Sequence, residues 1–122
     1  MILSCLTFKL RPGARDELEE AFRRHRILER ASQVEGCRSL YLTADAGHAG
    51  RAHVVGVWDD EAAYQRWIDH PERGVGTADL LALMADTWDP SAPGEVWTVL
   101  HSVDSRPGGS WSSGVREKGT RL

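Results

Sequence analysis

CRSLYLTADAGHAGRAHVVGVW, residues 37–58, is the stretch whose reading decides the fold. Two apolar runs, CRSLYLT (37–43) and RAHVVGVW (51–58), flank a turn of small residues, ADAGHAG (44–50). That pattern predicts two strands joined by a short hairpin loop. The second run carries apolar residues on both of its faces, which predicts a central strand. What lies on either side of the hairpin sets the topology.

Upstream, ARDELEEAFRRHRILERASQ (14–33) sets Leu18, Ala21, Phe22, His25 and Leu28 at helical spacing. Its acids come early and its bases later, as the helix dipole favours. Gly36 closes the connection to the hairpin. Before this helix, Ile2, Ser4, Leu6, Phe8 and Leu10 alternate with Leu3, Cys5, Thr7 and Lys9. A first strand with two partly buried faces is predicted, ended by a Pro12-Gly13 turn.

Downstream, Asp59 or Asp60 can cap a helix over EAAYQRWIDH (61–70), because a short carboxylate accepts the free N–H groups of a first turn. Pro71 limits that helix. ERGVG (72–76) reads as a loop, TADLLALMADTW (77–88) as a third helix capped by Thr77, and DPSAPG (89–94) as another loop. EVWTVLHSV (95–103) alternates as a fourth strand. The order strand, helix, strand, strand, helix, strand predicts an α+β class: a ferredoxin-like βαββαβ antiparallel sheet with helices on one face. One domain over residues 1–103 is expected, then a Gly/Ser-rich tail, 104–122, either flexible or docked on a partner through Trp111. Apolar residues on the face the helices leave bare predict a homodimer, since a second copy would cover them.

The 122 residues suit a single domain. A net charge of −3 and the lack of a basic patch argue against nucleic acid as a partner. No run approaches the roughly 18 apolar residues of a membrane span. The start, MILSCLTFKL, lacks the features of a signal peptide. Cys5 and Cys37 have no metal or redox spacing, which suits reduced thiols in a cytoplasmic protein.

Four stretches carry a family likeness: FKLRPGARDELEEAF (8–22), EGC (35–37), VVGVWDDEAAYQRW (54–67) and IDHP (68–71). On these the chain resembles the antibiotic biosynthesis monooxygenase (ABM) domains of the dimeric α+β barrel superfamily. The resemblance implies a sheet order of 4-1-3-2, a dimer whose sheets close into a barrel, and a pocket between sheet and helices in each subunit. It also implies a monooxygenase of specialised metabolism acting on an aromatic, polyketide-like phenol. In such members no metal or flavin is used; the substrate's phenolate meets O₂ and a quinone results. No cofactor is therefore expected, and the expected partners are a small aromatic substrate and O₂. Trp67 falls where members place an aromatic on the pocket side of the second helix. Three features depart from the family: the chain has no asparagine, Thr77 stands near the place of the haem-ligating histidine, and Gly56 replaces a glutamate common in strand 3. Haem degradation is disfavoured accordingly.

Tyr64 and Trp67, three apart, share a helix face. With Phe22 they would either line a substrate pocket or pack the helix onto the sheet. His25, on the apolar stripe of the first helix, is a candidate base for a phenol, or a core histidine bonded to a carbonyl. His70, beside Pro71, would move a proton at the pocket mouth or cap the helix end. His53 and His101 lie on predicted strands whose faces the sequence leaves open; His48 sits in a loop. No two histidines are four apart, and no metal site is expected. G-x-S-x-G is absent, and the GVG of residues 74–76 follows a helix, unlike a phosphate loop. Arg23, Arg24, Arg26 and Arg30 read as a solvated face. The rivals to an oxygenase are a non-redox cyclase or isomerase using the same pocket, and a non-catalytic ligand-binding dimer.

Overall fold

A computed structural model describes residues 1–105. The expectations for residues 106–122, Trp111 among them, lie outside the described residues. Four strands, β1 (Ile2–Lys9), β2 (Cys37–Ala44), β3 (Arg51–Trp58) and β4 (Glu95–Thr98), form one antiparallel sheet in the order β2-β3-β1-β4. This is the ferredoxin-like arrangement that the hairpin and its flanking helices predict. The central pair runs from Ile2 opposite Trp58 to Lys9 opposite Arg51. A bulge between Cys37 and Ser39 shifts β2 against β3.

The helices are α1 (Arg15–Arg24), α2 (Ile27–Ser32), α3 (Glu61–Ile68) and α4 (Thr77–Leu81), with a 3-10 turn at Pro71–Gly74. On the face they cover, Ile2, Ser4 and Phe8 of β1 are buried with Ala52 and Trp58 of β3. Phe8, Leu18, Phe22, Leu80 and Met84 build one apolar cluster and Ile2, Val34, Trp58, Ala63 and Tyr64 a second. Trp58 Nε1 donates to Ser4 Oγ at 2.9 Å, so the buried serine hydroxyl of this core is paired. Gly56 makes room for that indole: a Cβ there would stand 2.8 Å from Ser4 Oγ and closer still to Trp58. A glutamate at this position has no space. Among the described residues no helix is long and apolar enough to cross a membrane.

Several boundaries differ from the sequence expectation, each for a local reason. The helix expected over 14–33 is two helices. Arg26 adopts φ 53, a left-handed conformation that interrupts the helical ladder after His25. The turn redirects the chain so that Ile27, Leu28 and Ala31 pack towards the sheet. The helix expected over 77–88 ends at Leu81, because the following residues bond instead to the end of β1: Arg11 N to Leu83 O at 2.9 Å and Ala85 N to Lys9 O at 2.8 Å. Thr77 is not its cap; Gly76 holds that place at φ 84. The strand expected over 95–103 ends at Thr98, opposite Ile2 where β1 begins, with one further bond from Val99 N to Met1 O at 3.1 Å. The helix expected over 61–70 ends at Ile68, and ERGVG contributes to the 3-10 turn. Of the two candidate caps, Asp60 acts: its Oδ1 accepts from Ala63 N at 2.9 Å.

Candidate functional site

Between the two apolar clusters lies a slot of about 80 Å³. Its floor is the covered sheet face: Ser4, Leu6 and Phe8 from β1, Leu40 from β2, Val54 and Trp58 from β3. Alternation along each strand brings these side chains to one surface. Phe22 of α1 and Ile27, Leu28 and Ala31 of α2 form one wall. Tyr64 and Trp67 of α3 form the other, from the shared helix face that their spacing implies. Trp88 and Pro90, from the segment between α4 and β4, close the top.

Aromatic contacts fix the shape. Phe8 meets Phe22 and Trp88 edge-on at 6.0 and 5.4 Å between centroids, and Trp58 meets Tyr64 at 5.4 Å. Tyr64 is buried; its hydroxyl accepts from Gly94 N at 2.8 Å and so ties α3 to the start of β4. Trp67 is half-buried, with its ring 5.7 Å from that of His70.

Arg73 is the one charged residue in the slot's lining among the described residues. The 3-10 turn aims it across at the Trp88–Pro90 segment. There it donates to three carbonyls in succession, Pro90 at 3.4 Å, Ser91 at 3.2 Å and Ala92 at 2.9 Å. Burial pushes the guanidinium below its ordinary value, and the Tyr64 hydroxyl and the Asp89 carboxylate oppose that shift. A second, open basin of about 260 Å³ adjoins the slot; Ile68, His70, Gly74 and Ser91 line it together with Arg73, Thr77 and Pro90. Slot and basin therefore meet at Arg73, Thr77 and Pro90.

Phe22, Tyr64 and Trp67 are thus brought together, and His70 lies on the outer basin. His70 Nδ1 also accepts from Glu72 N at 3.1 Å, so it caps the start of the 3-10 turn and not, as the alternative has it, the end of the helix before it. His25 is placed elsewhere. The expectation that it faces the sheet fails because α1 ends at Arg24. The ring turns outward, packs on Gly76 and bonds Asp79 Oδ2 through Nε2 at 2.6 Å. That hydrogen bond and one from Arg24 hold the Asp79 carboxyl below its usual range. His53 faces the bare side of the sheet, where Nδ1 lies 3.0 Å from Thr7 Oγ1. His101 and His48 are exposed.

Residues 1–75 match the family model described as antibiotic biosynthesis monooxygenase. No curated protein matches the chain. Among solved structures, a Nitrosomonas europaea protein provisionally named an antibiotic biosynthesis monooxygenase is similar with a TM-score of 0.67 at 12% identity. That match covers 83% of this chain and 100% of the other. An asparagine-to-alanine variant of SnoaB, a cofactor-independent oxygenase from Streptomyces nogalater, is similar with a TM-score of 0.65 at 18% identity, over 85% of this chain and 97% of its own. Rv0793 from Mycobacterium tuberculosis gives 0.57 at 22% identity, over 87% and 98%. At these identities the structural likeness speaks for the fold alone.

Proposed function

The chain belongs to the antibiotic biosynthesis monooxygenase family, and from that premise we propose that it is a cofactor-independent oxygenase of a small phenolic aromatic. The observation that carries this reading is the slot itself, an apolar cleft walled by Phe22, Tyr64 and Trp67 with one polar neck. A flat ring suits such walls, and a dry cleft protects a reactive carbanion from water. One oxygen atom of O₂ enters at a ring carbon as a carbonyl; the other leaves as water with two hydrogens of the substrate, one from that carbon and one from the phenol O–H, whose oxygen becomes the second carbonyl. The substrate supplies all the electrons. Tyr64 and Trp67 hold the ring. His70, on the basin side, carries the proton between substrate and solvent. His25 lines neither slot nor basin and bonds Asp79 instead, so the part of the base goes to His70.

The working form is a homodimer joined through the bare sheet face. Leu3, Cys5, Val55 and Val57 are half-buried there, and Tyr41 and Trp97 exposed.

Oxygen consumption by the metal-free protein with anthrone- and naphthol-like phenols tests the reading. Uptake is expected, and it should fall sharply in Trp67→Ala and His70→Ala proteins that keep their circular dichroism. Tight binding without uptake would discard the oxygenase. A second reading has its own support: the slot lining holds no carboxylate and no imidazole. That favours a ligand-binding dimer without chemistry, since every catalytic reading, oxygenase or cyclase, depends on His70 in the adjoining basin as its base.

A further inference from the structure

Arg73 has more capacity than its contacts use. A guanidinium carries five N–H donors. The carbonyls of Pro90, Ser91 and Ala92 occupy Nη1 and part of Nη2, which leaves Nε–H and one N–H of Nη2. No carboxylate pairs with Arg73 among the described residues; its neighbour Glu72 is paired with Arg30. Asp89, whose charge Arg73 senses, turns Oδ1 to Ser91 N at 2.9 Å and Ser91 Oγ at 2.7 Å. Neither the slot nor the basin has an acid in its lining. A partly desolvated cation beside an apolar cleft is unfavourable until an anion joins it.

Size points the same way. The slot, about 80 Å³, is smaller than the roughly 150 Å³ void that takes up benzene. A ring system therefore lies partly across the neck into the basin, or displaces Trp88 or Pro90. A polar edge left at the neck would meet the free N–H groups of Arg73, which lines both slot and basin.

We propose that Arg73 selects ligands with an ionised oxygen, a carboxylate or a phenolate, bound at the neck while the apolar ring enters the slot. This rests on the slot being the ligand site, and it is independent of any reaction with oxygen.

The test uses the full chain and a pair of probes of equal shape, naphthoate and neutral naphthamide, titrated calorimetrically. A charge-assisted hydrogen bond predicts naphthoate binding about tenfold tighter or more. Arg73→Gln should remove the preference, and Arg73→Lys, a point charge without the fork, should keep part of it. Naphthol separates the two oxygens. A naphtholate absorption spectrum on binding, below naphthol's own pKa, assigns a phenolate; its absence alongside a naphthoate preference assigns a carboxylate. Equal binding of the two probes to the wild-type protein overturns the proposal, as does a preference that survives in Arg73→Gln. The wild-type pair decides even if the glutamine variant misfolds. Anion preference without oxygen uptake keeps Arg73 and discards the oxygenase. Uptake with no anion preference does the reverse.

Discussion

The two faces of the sheet are made by the same strands, one residue apart, and they end in different states. On the covered face Ser4 stands opposite Gly56 and Ile2 opposite Trp58. These residues are buried, the indole N–H is paired, and no space is left for a Cβ at Gly56. On the bare face Leu3 stands opposite Val57 and Trp97, and Cys5 opposite Val55. These are no less apolar, yet Trp97 is 48% exposed and Tyr41 53%. Alternation assigns residues to faces; it does not say what covers each face. On one side the helices of the same chain do, with a slot left between them. On the other no described residue does, and that is the ground for the dimer proposed above.

The strongest way to break this contrast is to cut each face in turn. Trp58→Ala should cost about 3–5 kcal/mol in urea unfolding, since it empties the centre of the second cluster and strands Ser4 Oγ. A cost below about 1 kcal/mol would mean that the covered face is not the core. Gly56→Ala should cost less, about 1–3 kcal/mol, as an overpacking clash against Ser4 and the indole. Val57→Lys, in the same strand but on the bare face, should change monomer unfolding by no more than about 0.5 kcal/mol. Its effect should appear in sedimentation, as a dimer turned monomer. A stability loss like that of Trp58→Ala, with the mass unchanged, would erase the distinction between the faces.

The same contrast explains how much the sequence revealed. β3 has the bounds its pattern predicts, because it lies between two partners along its whole length. β4 is shorter than its pattern, because its limit is set by where β1 starts, some ninety residues earlier. The break at Arg26 carries no glycine and no proline, so helical periodicity runs through it unmarked and sets His25 on the wrong face. Phe22, Tyr64 and Trp67 are legible as residues of the candidate site, the slot's walls, because regular elements project them at a fixed spacing. Arg73, Trp88 and Pro90 are not. Their positions come from three carbonyl bonds made between two irregular segments, which no period announces. The nearest signal was composition: a single arginine following the histidine-proline pair, in a stretch otherwise read as loop.

The smallest expected effect tests how pH divides the faces. On the covered face burial pushes the Cys37 thiol up, away from any carboxylate range. Asp45, at the edge of the bare face, is shifted the other way. The Gly47 amide, donating to Asp45 Oδ1 at 2.8 Å, is the main cause holding this carboxyl below its usual value; His53, with Nε2 3.8 Å from Oδ2, adds to it. A carboxyl depressed in the folded state stabilises above its unfolded pKa of about 3.9, and that contribution is lost as pH falls through the lower folded value. Asp45→Asn keeps an acceptor for Gly47 and removes the charge. The wild-type advantage over Asp45→Asn, read from urea midpoints, should shrink as pH falls below about 4. An advantage that grew on acidification would have the wrong sign. It would mean that the unfolded chain, not the Gly47 turn, holds the ionised carboxylate better, and that the edge of the bare face is not organised around Asp45.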